Sequence, residues 1–376
     1  MLRDYKFRLY PNTKMEKILE EHLEISRWLY NRLLEQINNA RENNVKITQR
    51  DTQALIVKLK KEEPEFQKVY AKVLQMVNYQ LWSNIRGLSQ LKKNGKKIGK
   101  LRYKKKGRWK TLNYNQSGFS IDTKNNCISL SKIGSIKAKI HRKIDGKVKG
   151  VIVKRYPSGK WYAIVQVEVK LEKLPETGRT VGIDMGIKYF LTDSDGRQIE
   201  NPKFYEKTLS RIKGLHKNLS RKQKDSKNRE KARKKLAKAY EKLNNQRRDF
   251  LHKLSRYYVN NYDLIKVESL NIRNMVRNHR LAQKILDASW GEFMQMLSYK
   301  AEGAGRIVKK VNPRGTSKGL NYDNPLRDYI SANRIKGGRD YPDTPVERRP
   351  LLQTISYKDV VLGHVFLMNQ EAPSVR

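Results

Sequence analysis

Residues 181–188 read V-G-I-D-M-G-I-K. Val181 and Ile183 are β-branched and favour an extended, buried strand. Asp184 ends that apolar run, with Gly182 and Gly186 on either side. The two glycines leave room for a phosphate, or a cation carrying one, to come close to the carboxylate.

The surrounding pattern predicts an α+β region over residues 179–335. Two apolar β runs lie around 180–192, a Ser-Asp-Gly turn follows at 194–196, and a third short β run comes next. D-L-I-K-V-E-S-L from residue 263 reads as another strand, with Glu268 at its end. A helix is expected at about 281–303, carrying Ile285, Phe293, Leu297 and Ala301. R-I-V-K-K-V-N is a further strand, and R-D-Y-I-S-A-N-R-I, after Pro325, opens a short helix at Asp328. The order β-β-β, helices, β, helix, β, helix describes a mixed sheet flanked by helices. Within it, residues 204–259 form a basic helical hairpin. Residues 207–256 hold 19 Lys+Arg against 4 Asp+Glu, and the polar K-D-S-K-N at 224–228 separates Leu209, Ile212, Leu215 and Leu219 from Leu236, Tyr240, Leu243, Phe250 and Leu254. A solvated helix pair would carry balanced charge; this excess favours a face turned to a polyanion.

The N-terminal half has a different texture. Residues 3–10 alternate basic and apolar side chains at period two and predict a strand. Residues 11–92 predict three helices. The first carries Met15, Ile18, Leu19, Leu23, Leu29, Leu33 and Ile37, and the second starts at Thr48 with Asp51 three places on, a capping-box pattern. The third follows Pro64 with Val69, Val73, Leu74, Val77, Leu81, Ile85 and Leu88. From residue 93 the chain is lysine-rich and Gly-punctuated around Tyr103 and Trp109. The short β runs G-F-S-I-D, C-I-S-L-S, S-I-K-A-K-I, K-G-V-I-V-K-R-Y and K-W-Y-A-I-V-Q-V-E-V then predict a small barrel or sandwich, to which residues 3–10 add a strand. Pro175–Gly178 reads as the linker between halves.

Composition narrows the partner. Lys+Arg number 82 against 37 Asp+Glu, a formal net charge of +45 over 376 residues, while 38% of residues are hydrophobic. The apolar content supports packed cores, and the charge asks for a polyanion. Duplex DNA carries one charge per about 1.7 Å. An anionic membrane surface is the competitor, but no run approaches the roughly 20 apolar residues of a spanning helix, and M-L-R-D-Y-K-F-R-L-Y lacks a signal-peptide core. A cytoplasmic, nucleoid-associated protein is expected. Cys127 is the sole cysteine, so a four-cysteine zinc site is excluded. There is no H-x-H pair and no G-x-x-x-x-G-K-[ST] loop, which argues against a tyrosine-HUH transposase and a P-loop NTPase.

Asp184, Glu268 and Asp328 are the candidate catalytic and metal-ligating residues. Phosphodiester hydrolysis by paired Mg²⁺ ions needs several carboxylates converging from different elements, and acids at two strand ends and a helix start meet that need. Each has another reading. Glu268 can mark where a strand reaches water, and Asp328 can be a helix cap. G-I-D-x-G is also similar to the phosphate loop of actin- and Hsp70-type ATPases, which calls for further Gly-rich phosphate loops that this chain lacks. Tyr103, Lys104, Lys105, Lys106, Arg108, Trp109, Arg247 and Arg248 are candidate nucleic-acid contacts, with Tyr103, Trp109, Tyr114 and Phe119 placed to stack on unpaired bases or to serve as barrel aromatics.

These motifs, in this order, closely resemble the TnpB family: RNA-guided, RuvC-type nucleases of insertion-sequence transposons, related to type V CRISPR effectors. The likeness covers about residues 1–335. It rests on Y-K-F-R-L-Y-P, R-W-L-Y-N-R-L-L (27–34), S-K-I-G-S-I-K (131–137), G-K-W-Y (159–162), V-G-I-D-M-G-I-K, N-Q-R-R-D-F-L-H-K-L-S (245–255), V-E-S-L-N-I-R-N-M (267–275) and V-N-P-R-G-T-S (311–317). It implies an RNase H-like (RuvC) domain at 179–335 holding Mg²⁺ (or Mn²⁺) through Asp184, Glu268 and Asp328. It also implies a β-barrel wedge domain at 1–10 and 93–175, and a helical recognition insert at 11–92. Guide RNA and target double-stranded DNA are the implied partners. Two C-x-x-C pairs usual in the family are replaced here by G-L-N-Y-D-N-P-L, and residues 336–376 form a tail without a counterpart, either packed or an extension. The expected function is Mg-dependent, RNA-guided DNA cleavage. The alternative is a nuclease-inactive, RNA-guided DNA-binding protein of repressor type, and a weaker third reading is a general RNA-binding protein. The oligomeric state is not indicated.

Overall fold

The computed structural model describes residues 1–171, 173–321, 323–337 and 353–362. The chain divides into two compact units, Met1–Lys170 and Leu171–Arg376.

The first unit is a seven-stranded antiparallel sheet and three helices around one core. Its elements run β1 (Leu2–Tyr10), α1 (Thr13–Glu42), α2 (Gln49–Glu62), a 3₁₀ turn (Pro64–Lys68), α3 (Ala71–Lys93), β2 (Thr111–Asn115), β3 (Phe119–Asp122), β4 (Cys127–Leu130), β5 (Gly134–Lys139), β6 (Lys147–Arg155) and β7 (Trp161–Glu168). Asn12 caps α1 through the Met15 amide, and Thr48 and Asp51 form the reciprocal capping box of α2. The expected third helix starts later than Pro64. The 3₁₀ turn from Pro64 ends at an extended Val69, and α3 begins only at Ala71. The strand order is β2-β6-β7-β1-β5-β4-β3, a nearly closed, barrel-like sheet. β1 is no edge addition; it lies between β7 and β5. Phe7, Leu9, Leu29, Leu74, Val151 and Val165 share one buried cluster, so helices and sheet complete a single core.

The second unit contains β8 (Thr180–Asp184), β9 (Tyr189–Asp193), β10 (Arg197–Glu200), α4 (Phe204–Ser220), α5 (Lys227–Asn261), β11 (Leu264–Glu268), α6 (Ile272–Met275), α7 (His279–Ala288), α8 (Trp290–Ala304), β12 (Ile307–Val311), α9 (Arg327–Gly337), β13 (Gln353–Ile355) and α10 (Tyr357–Leu362). The helix expected at 281–303 is two helices, because Ser289 takes left-handed backbone angles between them. The sheet order is β12-β11-β8-β9-β10-β13. β8, β11 and β12 are parallel neighbours, whereas β9 runs antiparallel to both β8 and β10. Register puts Val181, Ile183, Ile265 and Val267 on one face of this parallel run, where all are fully buried; on the other face Gly182 is covered by α9.

The segment expected as a free linker is held down. Asp263 accepts the amides of Thr177 and Gly178, and Arg306 pairs with Asp263 and donates to the Pro175 carbonyl. Of the tail, residues 353–362 pack into this unit: β13 pairs with β10, Tyr357 meets Phe204 edge-on at 5.8 Å, and Ile355 and Val360 are buried. The remainder of the expected tail, 338–352 and 363–376, lies outside the described residues.

Candidate active site

Parallel pairing sets the first two acids side by side. β8 and β11 align Ile183 with Val267, so Asp184 and Glu268 each lie one residue beyond that pair, on neighbouring strands spaced about 4.8 Å apart. The third acid arrives on α9, which packs directly on β8. Gly182 permits that approach: a Cβ there would overlap the carbonyl oxygen of Ala332 and come within 2.5 Å of the Lys336 amide nitrogen. The same packing brings Asp328, in the first turn of α9, to the loop after β8. A methyl group at Gly186 would lie 4.0 Å from Asp328 Oδ2. At its far end α9 is fixed by Lys266, whose Nζ donates to the Lys336 carbonyl at 2.5 Å, a cation at a helix C-terminus.

The electrostatics report the same convergence. Burial pushes the Asp184 carboxyl up to about 8, helped by the charges of Glu268 and Asp328 and opposed by Arg327. Glu268, 8% exposed, is raised by burial, with the Thr316 hydroxyl pulling the other way. Three carboxylates gathered under partial burial favour a proton or a cation in their midst. Among the described residues, no set of three His, Cys, Asp or Glu side chains is spaced to hold a metal ion.

The turn between β12 and α9 orients Glu268. Thr316 Oγ1 lies 2.5 Å from Glu268 Oε1 and 3.0 Å from the Pro313 carbonyl; its single proton goes to the closer, charged acceptor. The Thr316 carbonyl accepts from buried Ser331, and Arg334 donates to the Lys318 carbonyl at 2.7 Å, so turn and helix move together. Thr316 was not among the expected site residues; T-S in V-N-P-R-G-T-S was the available signal. Thr316→Val is expected to lower stability by about 1–3 kcal/mol by leaving a buried carboxylate short of a donor, whereas Thr316→Ser keeps it. Melting curves of both variants check this. A cleft of about 490 Å³ opens beside Glu268, lined in part by Met185, Ser298, Tyr299 and Lys310.

The expected nucleic-acid contacts divide. Tyr103, Lys105, Lys106 and Arg108 are exposed, on a loop pinned to α1 where the Lys104 backbone exchanges hydrogen bonds with Asn31. Lys104 itself is half-buried, its Nζ 5.5 Å from the Tyr30 ring. Trp109 is only 7% exposed, packs on Tyr30 and donates its indole N–H to the Thr111 carbonyl. Tyr114 is fully buried. Neither presents an open ring face, because alternate residues of this part of the sheet point into the core; Phe119 is half-buried. Arg247 is also turned inward. It pairs with Asp287 at 2.7 Å, and Asp287 in turn accepts the Tyr205 amide at the start of α4, a clamp between helices. Arg248 is half-exposed and pairs with Glu292 at 3.0 Å.

An α+β chain with acids at two parallel strand ends and a helix start can be compared with known proteins on those terms. A family model described as "Probable transposase" matches residues 163–279, one described as "Helix-turn-helix domain" matches 1–46, and one described as "Cas12f1-like, TNB domain" matches 290–331. InsQ of Escherichia coli (strain K12), provisionally named an RNA-guided DNA endonuclease, is 30% identical over 339 residues, 85% of this chain and 83% of the relative. A Streptomyces pristinaespiralis protein with the same provisional name is 38% identical over 162 residues, 43% of this chain but only 40% of that relative's length. The cryo-EM structure of a Cas12f1–sgRNA–target DNA complex matches with a TM-score of 0.53 at 13% identity, covering 89% of this chain and 98% of that one; at that identity the likeness is one of fold. The chain belongs to the TnpB family of OrfB-type transposon proteins. No described helix is long and apolar enough to cross a membrane.

Proposed function

We propose that this protein is an RNA-guided DNA endonuclease whose single RuvC-type site, Asp184, Glu268 and Asp328, hydrolyses the target backbone with the help of Mg²⁺ or Mn²⁺. The carrying observation is that the Asp184 carboxyl sits in the fields of both Glu268 and Asp328, although the three residues are far apart along the chain. Strand order β10-β9-β8-β11-β12, with β9 antiparallel to β8 and β11 and β12 parallel to it, supports an RNase H-like reading of the second unit.

The donor chemistry suits hard divalent cations, although the three side chains are not spaced as a formed metal site. All three ligands are carboxylates, two of them shifted toward the protonated state by burial, and without a counter-ion such groups repel one another. Bound ions would activate a water and neutralise the leaving oxygen. The chain's own residues prepare that chemistry. The Thr316 hydroxyl fixes one oxygen of Glu268, Gly182 lets α9 deliver Asp328, and Arg327 tempers the negative field at Asp184. Sequence choice would fall to guide RNA pairing with the target strand, while the protein grips backbone and shape.

The alternative is a nuclease-inactive, RNA-guided DNA binder, favoured by the cysteine-free stretch before α9. Purified protein with its co-purifying RNA decides between them. Mg²⁺-dependent cutting of matched duplex DNA is expected; defined RNA without cutting selects the binder. Binding should fall about 10³-fold or more between 50 and 200 mM salt, as release of counterions from several phosphates demands; a filter-binding salt series measures it.

A further inference from the structure

One buried hydroxyl of the second unit is left unused by the fold. Thr192, on β9, is 1% exposed, and its Oγ1 meets no hydrogen-bond partner among the described residues. A dry, unpaired hydroxyl costs free energy that valine, of nearly the same shape, would not incur. Ser194, two residues on, shows how such a group is ordinarily satisfied: its Oγ accepts the Gly182 amide at 3.1 Å.

Register gives this hydroxyl its address. Thr192 is the direct cross-strand partner of Asp184. Side chains opposed in this way share a face, with Cβ atoms about 4.5–5.5 Å apart. The shared face is the one under α9, which packs on both β8 and β9 and lies against Gly182, two residues before Asp184. Ile183 and Leu191 point the other way and are fully buried in the core. Rotation about the Cα–Cβ bonds of Thr192 and Asp184 therefore suffices to join hydroxyl to carboxylate.

Asp184 lacks a donor of its own. Among the described residues no group hydrogen-bonds to its carboxylate. Glu268, on the neighbouring strand, is held by the Thr316 hydroxyl. Each of these two acids thus has a threonine in reach, one bonded and one idle.

We propose that Thr192 is a positioning residue of the acid site, its hydroxyl kept free to hold the Asp184 carboxylate when a divalent cation draws that carboxylate into place. The proposal rests on the metal-site reading given above and adds a residue to it. The hydroxyl donates a hydrogen bond to one carboxylate oxygen and leaves the other for the cation. Donors of this kind orient a ligating acid, and losing one weakens metal binding about 10- to 100-fold. Stability forgone in the metal-free protein is the counterpart of that gain.

The test measures Mn²⁺ binding to the full, RNA-free chain, read from loss of the free ion's electron paramagnetic resonance signal, beside the melting temperature without metal. Thr192→Val should bind Mn²⁺ about tenfold more weakly. Freed of an unpaired hydroxyl, it should also melt about 2–4 °C higher than wild type without metal. Thr192→Ser, which keeps the hydroxyl, should bind Mn²⁺ as wild type does. Unchanged Mn²⁺ binding by Thr192→Val would overturn the proposal and leave the acid site standing. A valine variant that melts lower, or fails to fold, would overturn it too, by showing the hydroxyl already employed in the metal-free fold. Serine as weak as valine would assign the effect to packing of the methyl group instead. Wild type that binds Mn²⁺ no better than Asp184→Asn would overturn the metal-site reading itself.

Discussion

Asp184→Ala is expected to abolish cutting of matched DNA while sparing guide-RNA binding. The carboxylate lies among Glu268 and Asp328, and losing it removes a ligand common to the proposed cations. If about 4 kcal/mol of transition-state stabilisation goes with it, the rate falls about a thousandfold. A plasmid-cleavage time course measures this, with RNA retention on the variant as the control. Equal cutting by wild type and variant would take Asp184 out of the site. The same residue makes a separable prediction about stability. Its folded carboxyl is raised from the ordinary 3.8 to about 8, so between those values the folded state holds more protons than the unfolded chain. Metal-free protein should therefore lose stability as pH rises through that window. Asp184→Asn should flatten the slope and raise the melting temperature of the metal-free protein at pH 7, and divalent cations should stabilise wild type but not this variant.

Gly182→Ala should have the second largest effect, although the residue carries no chemistry. The added Cβ would meet backbone atoms of α9, the Ala332 carbonyl and the Lys336 amide, and backbone cannot rotate away as a side chain can. Overpacking of this kind costs about 1–3 kcal/mol. The helix that must yield is the one carrying Asp328, so cutting should fall at least about a hundredfold, since small misplacement of catalytic groups has effects of that size. A fall in melting temperature together with lost cleavage and retained RNA binding is the expected signature. Unchanged cutting would mean that α9 can shift without disturbing the acids.

Most of this architecture was legible in the chain because its signals were local. Strands β8 and β11 announced themselves as apolar runs ended by acids, and α1 and α2 by caps and period. What escaped depended on partners distant in sequence. T-L-N-Y-N forms β2 although asparagine disfavours strands; Leu112 and Tyr114 hold it by filling the core. The continuous apolar pattern from 281 to 303 hid the turn at Ser289, a non-glycine residue with φ of 56°. Trp109, Tyr114 and Arg247 looked like nucleic-acid contacts by composition, yet burial and Asp287 claim them. Conversely, the approach of Asp328 to Asp184 exists only through the packing of α9 on β8 at Gly182, which no window of sequence displays.

The placement of β1 has a consequence for how the protein is made. The amino terminus of Met1 donates to the Val169 carbonyl, 168 residues away, and β1 lies in the interior of its sheet. During synthesis this strand emerges before both of its partners and must wait, unpaired, until β5 and β7 have followed. At about 5–20 residues per second, that wait is several seconds to half a minute. Throughout it a strand with one apolar face is open to wrong pairing. The charges of Arg3, Lys6 and Arg8 in R-D-Y-K-F-R-L-Y keep the waiting strand from sticking to others of its kind.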